Sequence, residues 1–159
     1  MKRLLAILLA ALPAAAQLPD MYKSVDRVVW VVDSKDKVTD AWQKAGFAQI
    51  QNECDNEYKV EFRGKPVTES FHLTNGYFGD VRMECVSPTK GGGAYAEFLK
   101  KNREGMYALV LQSGDVRATE SNLAARGVKV RAAADSKEVL EIDRETTFGA
   151  LFRIESTSA

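Results

Sequence analysis

The sequence predicts an α+β fold: two pseudo-symmetric βαβββ modules, over roughly residues 24–90 and 94–156. Three observations carry this. First, an ordered pattern occurs twice, 81 positions apart. The apolar run Val28–Val32 (Val-Val-Trp-Val-Val) is followed by Asp33-Ser34, by Val38, Ala41, Trp42 and Ala45 at helical spacing, then by Gly46 and Phe47. The same order returns as Leu109–Leu111, Ser113–Asp115, Val116 with Leu123, Gly127 and Val128. The shift sets Arg27 on Ala108, Trp42 on Leu123 and Gly46 on Gly127 without a gap. Second, helical and strand periods alternate in step through both halves. Third, Gly91-Gly92-Gly93 stands between the halves as a joint. A repeated unit of this kind directs attention to the surface between its copies.

The elements follow in order. A strand spans about Val25–Val32. Asp33 or Ser34 can accept from the free N–H groups of a helix over about Lys35–Ala45, and Gly46 suits its end. Short stretches at Ala48–Asn52, Tyr58–Arg63, Val67–Leu73 and Val81–Val86 alternate as antiparallel strands do. Gly64-Lys65-Pro66, Asn75-Gly76 and Gly79-Asp80 read as the turns between them. A helix over Ala94–Lys101 carries Tyr95, Phe98 and Leu99 on one face. The second module supplies a strand at Met106–Gln112, a helix at Asp115–Arg126, and strands at Val128–Arg131, Val139–Ile142 and Ala150–Glu155. The triple glycine is not a phosphate cradle, because no Gly-Lys-Ser/Thr follows it.

Residues 1–16 read as a secretory signal peptide. Lys2 and Arg3 come first, Leu4–Leu12 is apolar but too short to span a bilayer, and Ala14-Ala15-Ala16 offers a cleavage site before Gln17. The expectation is therefore a single domain over 17–159, secreted or periplasmic, with no membrane association after processing. Lys and Arg total 22, as do Asp and Glu, and loss of Lys2 and Arg3 leaves about −2. With no basic block or basic helix face, nucleic acid and anionic membranes are excluded as partners. A homodimer is left open. Cys54 and Cys85 lie where a disulfide would persist, and spacing alone leaves their pairing open against two buried thiols.

The strings Glu84-Cys85-Val86-Ser87-Pro88, Phe98-Leu99-Lys100-Lys101-Asn102 and Glu104-Gly105-Met106 resemble the vicinal oxygen chelate superfamily, in its glyoxalase, bleomycin-resistance and methylmalonyl-CoA epimerase-like branch. Val25-Asp26-Arg27-Val28 is similar to that family's opening strand and Thr146–Ile154 to its closing one. The resemblance implies a curled mixed sheet around a cup. In the family's enzymes, one ligand from each of four strands (histidine, glutamine or glutamate, histidine, glutamate) holds a divalent metal there.

Carried over by residue, the four positions fall on Arg27, Glu84, Ala108 and Arg153, with Glu155 available by a one-residue slip. A guanidinium stays charged and alanine has no donor, so the expectation is no metal and no cofactor. Strand alternation aims Arg27 and Arg153 into the cup with Glu84. They then either bind an anionic ligand by forked hydrogen bonds or form a buried ion triad. Glu84 is the candidate base of any remaining catalysis. His72, the chain's one histidine, is expected on the cup wall as a ligand-binding residue. Tyr107 is expected in the core on the opposite face. The resulting reading is an exported, metal-free protein that binds a small anionic molecule. The alternative is a metal-dependent or divergent lyase or isomerase acting on a small carbonyl compound. Export fits poorly with a CoA-thioester substrate.

Overall fold

Both helices of the repeat form, and their ends keep its spacing: α1 covers Lys35–Lys44 and α3 covers Val116–Ala125. Ser34 Oγ accepts from the Lys37 amide at 3.5 Å, and Asp115 Oδ1 from the Ala118 amide at 2.9 Å, so equivalent residues satisfy equivalent helix starts. The computed structural model describes residues 20–22, 24–47, 49–133 and 136–157, without the side chains of 20 and 52–54. The signal peptide expected over 1–16 and the Cys54 side chain lie outside the described residues. Among the described residues, no helix is long and apolar enough to cross a membrane.

The remaining elements are β1 Arg27–Val31, β2 Gln51–Phe62, β3 Lys65–Phe78, β4 Val81–Gly91, α2 Ala94–Asn102, β5 Gly105–Ser113, β6 Val130–Ala132, β7 Leu140–Ile142 and β8 Leu151–Ser156, with a short 3-10 turn at Asp20–Tyr22. They form one curled eight-stranded mixed sheet in the order β2-β3-β4-β1-β5-β8-β7-β6. Each module contributes four strands, and the modules meet at the antiparallel β1–β5 seam. This is the α+β architecture expected.

Alternation along the strands divides the core in two. On the concave face, Val29, Val31, Val86, Ala108, Val110 and Leu151 pack with Phe71 and Tyr107 against α2. On the convex face, Leu111 and Ile154 pack under Leu123 of α3, joined by Met21, Leu140 and Ile142. Helix α2 therefore fills one end of the cup, whereas α1 and α3 lie on the outside. Cys85, on the outer face, is a buried free thiol whose pKa burial pushes up to about 12.

Three local expectations need correction. Asn75-Gly76 is not a turn but the interior of the long strand β3. Gly76 is there because the Trp42 ring of α1 lies on it: an added Cβ would sit 2.7 Å from a ring carbon. Tyr107 is core, as expected, but not on the opposite face. The β1–β5 register shifts between Val29 and Trp30, opposite Ala108 and Met106, so Tyr107 is bulged and joins Ala108 on the concave side. The glycine run is no loose joint either. Gly91 has φ +80 with its missing Cβ 2.0 Å from the Thr68 carbonyl oxygen, and Gly93 abuts the Glu69 carboxylate. That carboxylate accepts from the Tyr95 amide at 2.9 Å, replacing the cap that Gly93 cannot supply.

Gly91→Ala combines a positive φ with a backbone clash and is expected to cost about 2–4 kcal/mol of stability. Gly92→Ala meets nothing within 4 Å and should stay within about 0.5 kcal/mol. Urea denaturation of the two variants makes the comparison.

Candidate functional site

The sheet register builds the floor of the cup as two neighbouring rows. Across β4, β1, β5, β8 and β7 runs the row Arg82, Arg27, Val110, Arg153, Glu141. The next row is Glu84, Val29, Ala108, Leu151. The four positions that the family resemblance marks thus lie together on the concave face, in two pairs related by the pseudo-symmetry of the modules. Three of them, Arg27, Glu84 and Arg153, line a cavity of about 280 Å³ together with Glu155. Ala108 is fully buried in the core and brings no polar atom.

Arg27 is the centre of the charged floor. Its Nη2 donates to both oxygens of Glu155, at 2.8 and 2.9 Å, and its Nη1 donates to Asp26 Oδ2 at 2.8 Å. Its Nε lies 3.2 Å from Glu84 Oε2. Burial alone would pull the guanidinium pKa down, but Glu84 and Glu155, with the hydrogen bonds that Arg27 donates to Glu155 and Asp26, hold it above the ordinary arginine value. Gln112 Nε2 donates to Asp26 Oδ1 at 2.8 Å, fixing that carboxylate in turn. Arg27 thus stands in an ion cluster with Asp26, Glu84 and Glu155, which differs from the expected Arg27–Glu84–Arg153 triad. The second guanidinium beside Glu84 is Arg82, at 3.7 Å, a residue the sequence reading did not single out.

Arg153 is buried, 7% exposed, and its Nε lies 4.0 Å from Glu155 Oε1. Glu155 therefore bridges Arg27 of the first module and Arg153 of the second. One step along β7, buried Glu141 accepts from Arg131 Nε at 3.2 Å, and Arg131 Nη2 lies 3.0 Å from the same oxygen.

His72 is not on the cup wall. Phe71 lines the cavity and Leu73 packs in the concave core, so alternation turns His72 to the outer face. There its Nδ1 lies 2.9 Å from Asp55 Oδ1 on β2.

The opposite wall of the cavity, which the sequence reading missed, sets aromatic rings beside the buried Glu69 carboxylate. Tyr58 of β2 stacks on Phe71 of β3 with centroids 5.7 Å apart and planes at 26°. Phe71 meets Tyr95 edge-on at 5.3 Å, and Tyr95 meets Tyr107 at 4.9 Å. Phe98 and Arg144 extend this packing behind the wall, the Arg144 guanidinium lying 5.0 Å from the Phe98 ring centroid and 5.5 Å from that of Tyr107. Lys59 and Val60 complete the β2 side. Among the described residues, no group of three or more histidine, cysteine, aspartate and glutamate side chains is placed to hold a metal ion.

No family model and no curated protein matches the chain. Solved structures do. Methylmalonyl-CoA epimerase from Mycobacterium tuberculosis superposes with TM-score 0.63 at 17% identity, over 89% of this chain and 93% of that one. A variant of the Streptomyces coelicolor methylmalonyl-CoA epimerase, in complex with 2-nitronate-propionyl-CoA, gives 0.58 at 19% identity, over 86% and 95%. A hypothetical protein from Bacillus halodurans gives 0.59 at 15%, over 86% and 95%. At such identities the likeness speaks for architecture. Over nearly nine-tenths of its length, the chain shares the fold of these epimerases.

Proposed function

We propose that this chain is an exported protein that binds a small organic anion in its cup without a metal ion. The observation that carries the reading is the Arg27 guanidinium among the carboxylates of Asp26, Glu84 and Glu155. In a metal-dependent member of the fold, acidic ligands at this floor face a divalent cation. Here a cation covalently fixed to β1 already pairs with all three, with hydrogen bonds to two of them. A metal ion would have to displace it and break those bonds. The cations a ligand carboxylate would then meet are Arg153 on the floor and Lys59 at the rim. The signal-peptide pattern of residues 1–16 supports export.

A lyase or isomerase resembling the neighbouring epimerases is the second reading, favoured by the fold likeness. Its base would be Glu84. Its Oε2 faces Arg27 at 3.2 Å and Arg82 at 3.7 Å, and two guanidinium groups beside a carboxylate favour its charged form and weaken it as a base. The arrangement favours holding a ligand over removing its proton.

Four outcomes test the proposal. N-terminal sequencing of secreted protein should begin near Gln17, and an intact Met1 form confined to the cytoplasm would refute export. Elemental analysis of protein purified without chelator should give well under one zinc, nickel, iron or manganese per chain. Arg27→Ala should cost about 2–4 kcal/mol in urea denaturation, because it leaves three carboxylates without their common partner. Arg153→Ala should weaken binding of a carboxylate found by thermal-shift screening by about 2–5 kcal/mol. Unchanged affinity in that variant would remove Arg153 from recognition.

A further inference from the structure

The cavity has two chemically different walls facing one another, and that pairing narrows the ligand. Building on the anion-binding reading above, we propose that the cup takes a planar aromatic carboxylate, its ring against Tyr58 and Phe71 and its carboxylate toward Arg153. Three features support this.

The first is Tyr58 itself. It lies on the outermost strand β2 between Glu57 and Lys59, is 53% exposed, and lines the cavity. Exposed aromatic surface beside charged neighbours gains little for folding. It gains much when a flat apolar ligand covers it. The second is support. Phe71 is buried, and the edge-on contacts from Phe71 to Tyr95 and on to Tyr107 hold it from behind. Tyr58 and Phe71 lie 26° from parallel, so the wall is already ordered as a stacking surface. Little side-chain freedom remains to be lost on binding, which is how preorganised sites reach affinity. The third is size. A cavity of about 280 Å³ has room for one aromatic ring with its carboxylate.

An aliphatic acid of equal bulk would bury similar area but lacks the quadrupole that pairs with the rings. The comparison of two acids that differ only in planarity therefore isolates the claim. Isothermal titration calorimetry of the purified protein with benzoate, cyclohexanecarboxylate and benzyl alcohol provides it. Benzoate should bind about five- to ten-fold tighter than cyclohexanecarboxylate, and benzyl alcohol more weakly than either acid. Tyr58→Phe should keep the preference for benzoate and Tyr58→Ala should abolish it. Both variants should melt as the wild type does, since more than half of the Tyr58 surface is exposed. Equal affinity for the two acids, or a preference that survives in Tyr58→Ala, would overturn the aromatic assignment and leave anion binding standing. If neither acid binds, or if benzyl alcohol matches benzoate, the anion-binding reading falls and this inference with it.

Discussion

The cup depends on one side chain, Arg27, and on the carboxylates that hold it. Its guanidinium spans the seam of the modules, reaching Glu84 on β4 of the first and Glu155 on β8 of the second. The strands that form the floor, β4-β1-β5-β8, are neighbours in the sheet, and their backbone bonds set only their order and spacing. The ion cluster adds a contact between side chains from opposite sides of the seam, on the floor of the cavity. Arg27 is mostly buried, 15% exposed, and so are its partners. Ion pairs of this kind gain little net energy over a well-packed apolar substitute, because desolvation offsets attraction. Their stronger effect is conditional: once the carboxylates are buried, the cation must stay. The floor is therefore locked in composition more than it is strengthened.

Much of this was legible in the chain. The 81-residue repeat foresaw both outer helices, with caps at Ser34 and Asp115, because helix starts and stops are written locally. Alternation foresaw that Arg27 and Arg153 would face inward with Leu151. What failed depended on partners distant in sequence. Asn75-Gly76 has the composition of a turn, and only the approach of Trp42 explains a glycine inside a strand. Tyr107 changed face because β5 bulges against β1, and a bulge leaves no mark in a short apolar run. His72 was assigned to the cup by position along the chain, whereas its side follows from the parity of β3 counted from Phe71.

The aromatic wall was readable in principle. Arg63 and Gly64, with φ of 53° and 74°, make the two-residue turn of the β2–β3 hairpin. A turn of that length pairs residues at equal distances on either side, and Tyr58 accordingly lies opposite Glu69. Phe71 is then its diagonal neighbour, within reach of an aromatic ring. The hairpin strands were instead read as shorter pieces, because β2 is so rich in charge. An edge strand that must stay soluble shows weak alternation even where one residue has a specific place.

Replacing a metal ion by a guanidinium changes what a cup of this fold can do. A metal exchanges ligands, polarises a bound oxygen along any open direction and stabilises an enolate as it forms. A guanidinium offers five donors in a fixed plane and cannot open a position without losing one of them. In Arg27 those donors are directed to protein carboxylates at 2.8–2.9 Å. On the proposed reading, the place of the electrophilic metal is taken by a cation bound into the wall, and the cavity beside it can act only by complementarity. The same exchange bears on Glu84. A carboxylate that would ligate a metal keeps its position in the row but faces two arginines, which orient it and occupy it together. Ala108 brings no donor, so proton transfer at these four positions would fall to Glu84, whose Oε2 lies between two guanidinium groups.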